Sequence, residues 1–252
     1  WTQLLMAWRT GDGADHALAL RSAYFFTDVA VDHAANLVRM HGYPPVAFAM
    51  PMNRLQATIG AYLETGDPWL LETAEAVTET ACRSFANSWP RMAVGRDAMP
   101  GRSAALLYRY FGNEHFLTLG RRIARAVGDS QQPDGGFGDQ GGGSGIHQFS
   151  GYVTKPWMGL LATNCVADLL ELFPDDPDLI STVRRFADWL MAERRESNEG
   201  TIGWGYQHAF DGRREYTGIR PGEVQSLPTK GAWHQEGFGR IMLLASEQTG
   251  DP

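Results

Sequence analysis

The sequence predicts an all-α protein, an (α/α) toroid in which inner helices alternate with outer helices along the chain. Three observations lead to this prediction. A short turn phrase recurs between helical runs, the two runs beside each turn differ in hydrophobic character, and the apolar–polar alternation typical of strands is scarce. The links between hairpins have unequal lengths, which favours a ring over a linear solenoid, because solenoid repeats usually keep a fixed period.

The turn phrase combines a helix stop with a helix start. Glycine tolerates the left-handed backbone that ends a helix, and the Asp or Asn after it accepts hydrogen bonds from the free N–H groups of the next helix. A proline just after this residue suits the first helical position. The phrase, once with Asp175 in place of glycine, occurs at Gly11-Asp12, Gly66-Asp67, Gly112-Asn113, Asp175-Asp176 and Gly250-Asp251. Each copy predicts the joint of one helical hairpin.

The runs on the two sides of a joint differ in polarity. Runs before the joint are apolar almost all round, at residues 55–63, 104–110, 157–172 and 238–245. Runs after the joint are amphipathic, as at residues 70–79 and 179–190. A helix without a wide polar face is buried on most sides. The first helix of each hairpin is therefore predicted to lie inside the ring and the second outside it.

The length and composition suffice for one substantial core. The chain has 252 residues, 43% of them hydrophobic, and we expect a single toroid domain over residues 1–252. It starts within one predicted inner helix and ends on the turn after another, which leaves the ring incomplete with an exposed apolar flank. We therefore expect a domain cut from a larger protein at both ends, with the other domains of that protein as partners.

Charge and cysteine content exclude several classes. The net charge of −7, from 22 Lys and Arg against 29 Asp and Glu, argues against nucleic-acid binding. No uncharged apolar window of about 18 residues exists, so no membrane span is expected. Cys82 and Cys165 are too few for a disulfide framework or a four-thiolate zinc site, and we predict neither metal nor cofactor. The chain begins at Trp1 rather than Met, so we expect it to be processed or cut from a longer chain, with any export signal removed. The cysteine count leaves the compartment open, with export to the periplasm or the medium as one interpretation.

The links that precede the inner helices are predicted to hold the functional residues, because these helices all start at one mouth of the ring. Asp32 and His33 in the first link are candidates for substrate binding, and Arg54 stands at the following inner start. The alternative is a helix cap among solvated polar residues. In the second link, Arg96 and Asp97 either cap the helix and pair with each other, or hold a carboxylate-bearing sugar.

The third link is rich in glycine, with seven glycines in residues 135–145. It lacks the strand and the Gly-Lys-Ser/Thr ending of a phosphate loop, so no nucleotide site is expected. His147, Tyr152, Lys155 and Trp157 follow it. Aromatic rings beside hydrogen-bonding and basic groups suit a sugar, whose apolar face stacks while its hydroxyls are bound laterally; the alternative is local packing of a long loop.

The fourth link ends at an inner start with Trp233, His234 and Glu236. An imidazole and a carboxylate beside an indole, within an otherwise polar link, favour a functional group over simple packing. We expect His234 and Glu236 to take part in catalysis and Trp233 to contact the substrate.

Two stretches carry a resemblance to a known group of proteins. Residues 63–72 (LETGDPWLLE) and 95–114, which begin GRDAMPG and end LLYRYFGNE, resemble the hairpin phrases of bacterial (α/α) toroid carbohydrate-active proteins of the six-hairpin glycosidase-like and polysaccharide-lyase-like groups. The segment TDVAVDH at 27–33 is similar to the Asp-rich, His-containing segment of rhamnogalacturonan-exolyase-type proteins. The resemblance implies a toroid fold and places Asp32, His33 and the inner-start residues among the site members.

The leading hypothesis is an enzyme that cleaves a uronate-containing polysaccharide by β-elimination. Arg96, Lys155 or Arg54 would neutralise the uronate carboxylate, which makes the adjacent carbon more acidic. A base would then take the C5 proton, and an acid would protonate the leaving oxygen. The candidates for the base are His147, His234 and Tyr152.

Two alternatives stay open. A hydrolase would need two carboxylates that flank the bond, about 5 Å apart for retention or about 6.5–9.5 Å for inversion, and Asp97 with Glu236 is the first pair to consider. A non-catalytic glycan-binding or scaffold domain would keep aromatic residues such as Trp157 and Trp233 at the mouth without a converging acid and base.

Overall fold

The computed structural model describes residues 2–39, 54–88, 95–139, 153–154, 156–196, 202–204, 208–209 and 237–249. Within these residues the chain forms nine α-helices, and every strand is two residues long. The prediction of an all-α protein is confirmed. Contacts between residues group the chain into two compact units, one from residues 1–90 and 99–123 and the other from residues 91–98 and 124–252.

The first unit is a succession of helical hairpins. Its elements are α1 (Thr2–Thr10), α2 (Gly13–Phe25), a π-helix (Phe26–Ala30), β1 (Val31–Asp32), β2 (Leu37–Val38), α3 (Gln56–Thr65), α4 (Pro68–Ser88), α5 (Met99–Phe111) and the first part of α6 (Glu114–Ser130). Helix α2 packs against both α1 and α3, and α4 packs against both α3 and α5. Each helix after a joint therefore lies across two helices that precede joints.

The joints of the first unit have the geometry that their sequence predicts. Each glycine has a positive φ, between 66° and 72°, and donates its N–H to the carbonyl oxygen four residues earlier at 2.7–2.8 Å. The following side chain accepts from the next helix; Asp12 Oδ1, for example, receives the N–H groups of Ala14 and Asp15 at 2.8 and 3.1 Å. These contacts occur at Gly11-Asp12, Gly66-Asp67 and Gly112-Asn113.

Burial in the first unit follows the predicted difference between the two helices of a hairpin. Helix α3 buries five consecutive or near-consecutive residues, including Ile59 and Ala61. Helix α4 buries one stripe, Leu70, Ala74, Val77 and Ala81, and turns acidic side chains outward. Helix α1 is less enclosed than predicted for an inner helix, because only Leu4 and Ala7 are buried in it.

The second unit contains a 3₁₀ helix (Gly95–Ala98), the rest of α6, α7 (Pro156–Leu170), α8 (Pro177–Glu193) and α9 (Phe238–Thr249). Helix α8 packs against both α7 and α9, which also contact each other. Helix α7 is buried on nearly every side, with twelve of its fifteen residues inaccessible. This burial matches the apolar run that predicted an inner helix.

Three small antiparallel sheets accompany the helices in the described residues. In the first unit β1 pairs with β2, with Val31 opposite Val38. In the second unit β4 (Val153–Thr154) lies between β3 (Gly138–Asp139) and β7 (His208–Ala209), and β5 (Arg195–Glu196) pairs with β6 (Ile202–Gly203). Closure of the helices into a toroid and a single domain over the whole chain stay predictions.

Candidate functional site

The predicted site residues divide into two groups. Six of them lie outside the described residues: His147, Tyr152, Lys155, Trp233, His234 and Glu236. The other six are described: Asp32, His33, Arg54, Arg96, Asp97 and Trp157. The structure brings two of the described residues into direct contact, Arg96 and Trp157.

Arg96 and Trp157 meet where the 3₁₀ helix packs against the start of α7. The Arg96 Cζ lies 5.3 Å from the centroid of the indole ring, within the range of a cation–π contact. The approach of the two backbones is close, since a Cβ on Gly95 would lie 1.8 Å from the carbonyl oxygen of Met158. A glycine at this position therefore permits the packing that places Arg96 over the ring.

The two members of this pair differ in exposure. Trp157 is 9% exposed, whereas Arg96 is only partly buried. No ion pair or hydrogen bond joins Arg96 to another residue in the part of the chain that the structure describes. A guanidinium carries five N–H donors in its plane, and their fork geometry matches a planar anion such as a carboxylate.

Asp97 follows Arg96 and is 5% exposed. It was predicted either to cap α5 and pair with Arg96 or to act in catalysis. For Arg96, the contact that the structure gives is with the indole of Trp157, over which its guanidinium lies. Asp97 stays a candidate for catalysis, since its carboxylate directly follows the partly exposed guanidinium of Arg96 in the chain.

Asp32 holds the turn between β1 and β2. Its Oδ1 accepts the backbone N–H groups of Ala34 and Ala35 at 3.0 and 2.9 Å, and its Oδ2 lies 3.4 Å from Arg39. The bond from Ala35, with those from Ala34 and Arg39, lowers the pKa of Asp32 despite partial desolvation. These contacts give Asp32 a structural role in the turn of the hairpin.

His33 connects the same hairpin to α4. Its Nε2 lies 3.0 Å from the carbonyl oxygen of Thr27; this nitrogen carries the hydrogen, because a carbonyl can only accept. The imidazole centroid is 4.6 Å from the ring of Trp69, at an interplanar angle of 35°. The Nε1–H of Trp69 donates in turn to Asp28 Oδ1 at 3.0 Å.

Sequence reasoning missed the part that Trp69 and Asp28 play beside His33. Trp69 lies in the segment 63–72, which was interpreted only as an architectural turn. The sequence did contain a signal for Trp69, because a helix cap does not require an indole at the second residue of an amphipathic helix. Asp28 belongs to the π-helix, and π-helical turns occur frequently at functional sites.

A cavity of about 430 Å³ lies in the first unit. Its lining includes Asn36 of the hairpin turn, Glu72, Glu75 and Glu79 of α4, and His115 of α6. Burial, and then the charges of the other two glutamates, raise the pKa of Glu75. Glu79 forms an ion pair with Arg83, and its Oε2 lies 3.1 Å from Nε2 of His115.

The remaining predictions concern metals, cysteines and membranes. No group of three or more His, Cys, Asp or Glu among the described residues has the arrangement of a metal site. Cys82 and Cys165 are buried and not joined in a disulfide, and burial raises the pKa of the Cys82 thiol well above its usual range. None of the described helices is both long and apolar enough to cross a bilayer. Arg54 is exposed just before α3.

Comparison with known proteins gives no relative. No protein family matches the chain, and no curated sequence and no solved structure is significantly similar to it.

Proposed function

We propose that the protein is a carbohydrate-active enzyme that cleaves a uronate-containing polysaccharide by β-elimination. The observation that carries the proposal is Arg96, a partly exposed guanidinium held over the ring of Trp157 with its hydrogen-bond donors unused by described residues. Hairpins with an enclosed first helix and an amphipathic second helix are consistent with the toroid resemblance, which remains part of the proposal.

Arg96 would act on the ground state and on the transition state. Two parallel N–H···O bonds would hold the uronate carboxylate in a fixed plane. Neutralising this charge lowers the pKa of the adjacent C5–H and stabilises the enolate-like intermediate that forms when the proton leaves. The base that removes the C5 proton would come from His147, His234 or Tyr152, and elimination would leave a C4–C5 double bond in the product.

The unsaturated product makes the proposal testable. Polygalacturonate, rhamnogalacturonan and alginate are incubated with the protein, and absorbance is followed near 235 nm. We expect a rise with at least one polymer, and we expect Arg96→Gln to lose most of it. Arg21→Gln, which removes an exposed arginine of α2, is the matched control and should behave as the wild type. Absence of any rise would refute the elimination mechanism, and a rise that Arg96→Gln leaves intact would refute the proposed role of Arg96.

One observation supports a second candidate, a glycoside hydrolase. The Asp97 carboxylate is 5% exposed and directly follows Arg96, which makes it one candidate for the two carboxylates that flank the scissile bond. Its partner carboxylate would be Glu236. Release of reducing ends without a change near 235 nm, abolished in Asp97→Asn, would favour this candidate. Binding of a polymer without any cleavage would instead favour a glycan-binding domain.

A further inference from the structure

Trp69 is a large exposed aromatic side chain that is nevertheless held in place. It is 42% exposed, and single exposed aromatic residues are common on protein surfaces. The uncommon feature is the double anchorage, since Nε1–H donates to Asp28 and one side of the ring faces the imidazole of His33. An indole fixed in this way binds a ligand without the cost of ordering its side chain.

Polar groups at the edge of this indole have unused hydrogen-bonding capacity. Oδ1 of Asp28 accepts the indole N–H, and its Oδ2 makes no hydrogen bond with a described residue. His33 uses Nε2 to donate to the carbonyl oxygen of Thr27, which leaves Nδ1 as an acceptor in the neutral ring. The Asp28 carboxylate therefore offers one acceptor at the edge of the exposed indole, and the imidazole of His33 supports the ring from its other side.

The backbone positions these groups by an unusual element. The π-helix Phe26–Ala30 continues α2 and carries Asp28 at its centre, and the carbonyl of Thr27 from the same element receives His33. Thr27 is fully buried, and its hydroxyl bonds to the carbonyl oxygen of Ala23 at 2.8 Å. The frame behind the platform is thus anchored in the core.

We propose that Trp69, Asp28 and His33 form a binding platform for a neutral pyranose ring of a glycan. The C–H face of the sugar stacks on the indole face opposite His33, and a neighbouring hydroxyl donates to Asp28 Oδ2. The negative charge of Asp28 disfavours a uronate at this position, so the platform takes a neutral sugar. The choice of a glycan as ligand rests on the proposed function, whereas the residues are separate from Arg96 and Trp157.

The test measures binding and does not depend on cleavage. Hexasaccharides of β-1,4-linked glucose, galactose and xylose are titrated into ¹⁵N-labelled protein, and Trp69→Phe identifies the Trp69 indole N–H signal. We expect at least one hexasaccharide to shift this signal. Trp69→Ala should weaken its affinity at least tenfold, Trp69→Phe should lose less because it keeps an aromatic face, and Asp28→Asn should weaken binding moderately.

Trp8→Ala is the matched control. Trp8 of α1 is exposed to a similar degree, 40%, so its replacement should leave the affinity unchanged. Far-UV circular dichroism verifies that each variant is folded. No shift with any of the three sugars, or equal affinity for Trp69→Ala and the wild type, would overturn the platform. Trp69-dependent binding by a protein that produces no 235 nm absorbance would refute only the elimination mechanism, so the two failures are distinguishable.

Discussion

Two copies of the same dipeptide begin two helices and end in opposite environments. Pro68-Trp69 starts α4 and Pro156-Trp157 starts α7, with proline at the first helical position in both. Trp69 is 42% exposed, whereas Trp157 is 9% exposed. Each indole is contacted by a nitrogen-containing side chain, the imidazole of His33 or the guanidinium of Arg96.

The difference shows that the position of the helix decides the role of the indole. Helix α4 is amphipathic and buries one stripe, so a tryptophan at its start stays accessible and presents its own ring to a ligand. Helix α7 is buried almost all round, so Trp157 supports another side chain that remains accessible. The Pro-Trp dipeptide is the same in both helices, so it does not by itself determine the exposure of the indole.

The largest expected effect separates the two tryptophans by stability. Trp157→Ala removes a buried ring and leaves a cavity, which should cost about 3–5 kcal/mol of unfolding free energy. Trp69→Ala loses one exposed stacking contact and one hydrogen bond, which should cost about 1 kcal/mol. Urea denaturation followed by circular dichroism measures both. Equal losses would contradict the assignment of one ring to the core and the other to the surface.

The second prediction tests the close approach that places Arg96 over Trp157. Gly95→Ala would put a Cβ against the backbone carbonyl of Met158, and the shift needed should cost about 1–3 kcal/mol. Gly13→Ala at the start of α2 meets nothing within 4 Å and should not destabilise the protein. Thermal melts of the two variants provide the comparison, and a neutral Gly95→Ala would show that the contact is not tight.

A third prediction concerns how α4 begins. Asp67 accepts the N–H of Trp69 at 3.1 Å and the hydroxyl of Tyr24 at 2.9 Å. Asp67→Ala should therefore cost about 1–2 kcal/mol. The control is Asp12→Ala, which removes a cap alone and should cost about 1 kcal/mol. Tyr24→Phe removes only the donor to Asp67, and an unchanged free energy of unfolding in this variant would show that the bond to Tyr24 does not add stability.

The smallest effect comes from the acidic face that α4 carries and α7 lacks. The raised pKa of Glu75 means that the folded state holds its proton more tightly than the unfolded chain, whose value is near 4.5. Stability is therefore lost as pH rises above about 4.5. Glu75→Gln should raise the melting temperature at pH 7 and leave it unchanged near pH 3. An unchanged melting temperature at pH 7 would contradict the destabilisation that we attribute to the burial of the Glu75 carboxylate and to the charges of Glu72 and Glu79.

The helical hairpins were predictable from the sequence because their signals are local. Gly66 takes the left-handed backbone, and Asp67 supplies the cap within two residues of it. The apolar run at 157–172 likewise predicted the enclosure of α7. Such features depend on residues within one or two helical turns of each other, so a short stretch of sequence contains all the residues that determine them.

The candidate site was less predictable because its contacts join distant residues. His33 reaches Trp69 and Thr27, and Trp69 reaches Asp28 across forty-one positions. Asp32 differs from these residues, since its contacts are short-range backbone hydrogen bonds within the turn between β1 and β2. The pairing of Arg96 with Trp157 depends on the absence of a side chain at Gly95, and the hydrophobic periodicity of the sequence does not predict such a close approach.

The most direct measurement of the central claim is the affinity of the protein for an oligogalacturonate. Isothermal titration with the pentamer, at low and constant salt, compares the wild type with Arg96→Gln and Arg21→Gln. A carboxylate held by the guanidinium predicts that Arg96→Gln weakens binding by about tenfold or more, while Arg21→Gln binds as the wild type. Equal affinity for all three proteins, or no binding by any of them, would contradict the claim that Arg96 on Trp157 receives a uronate.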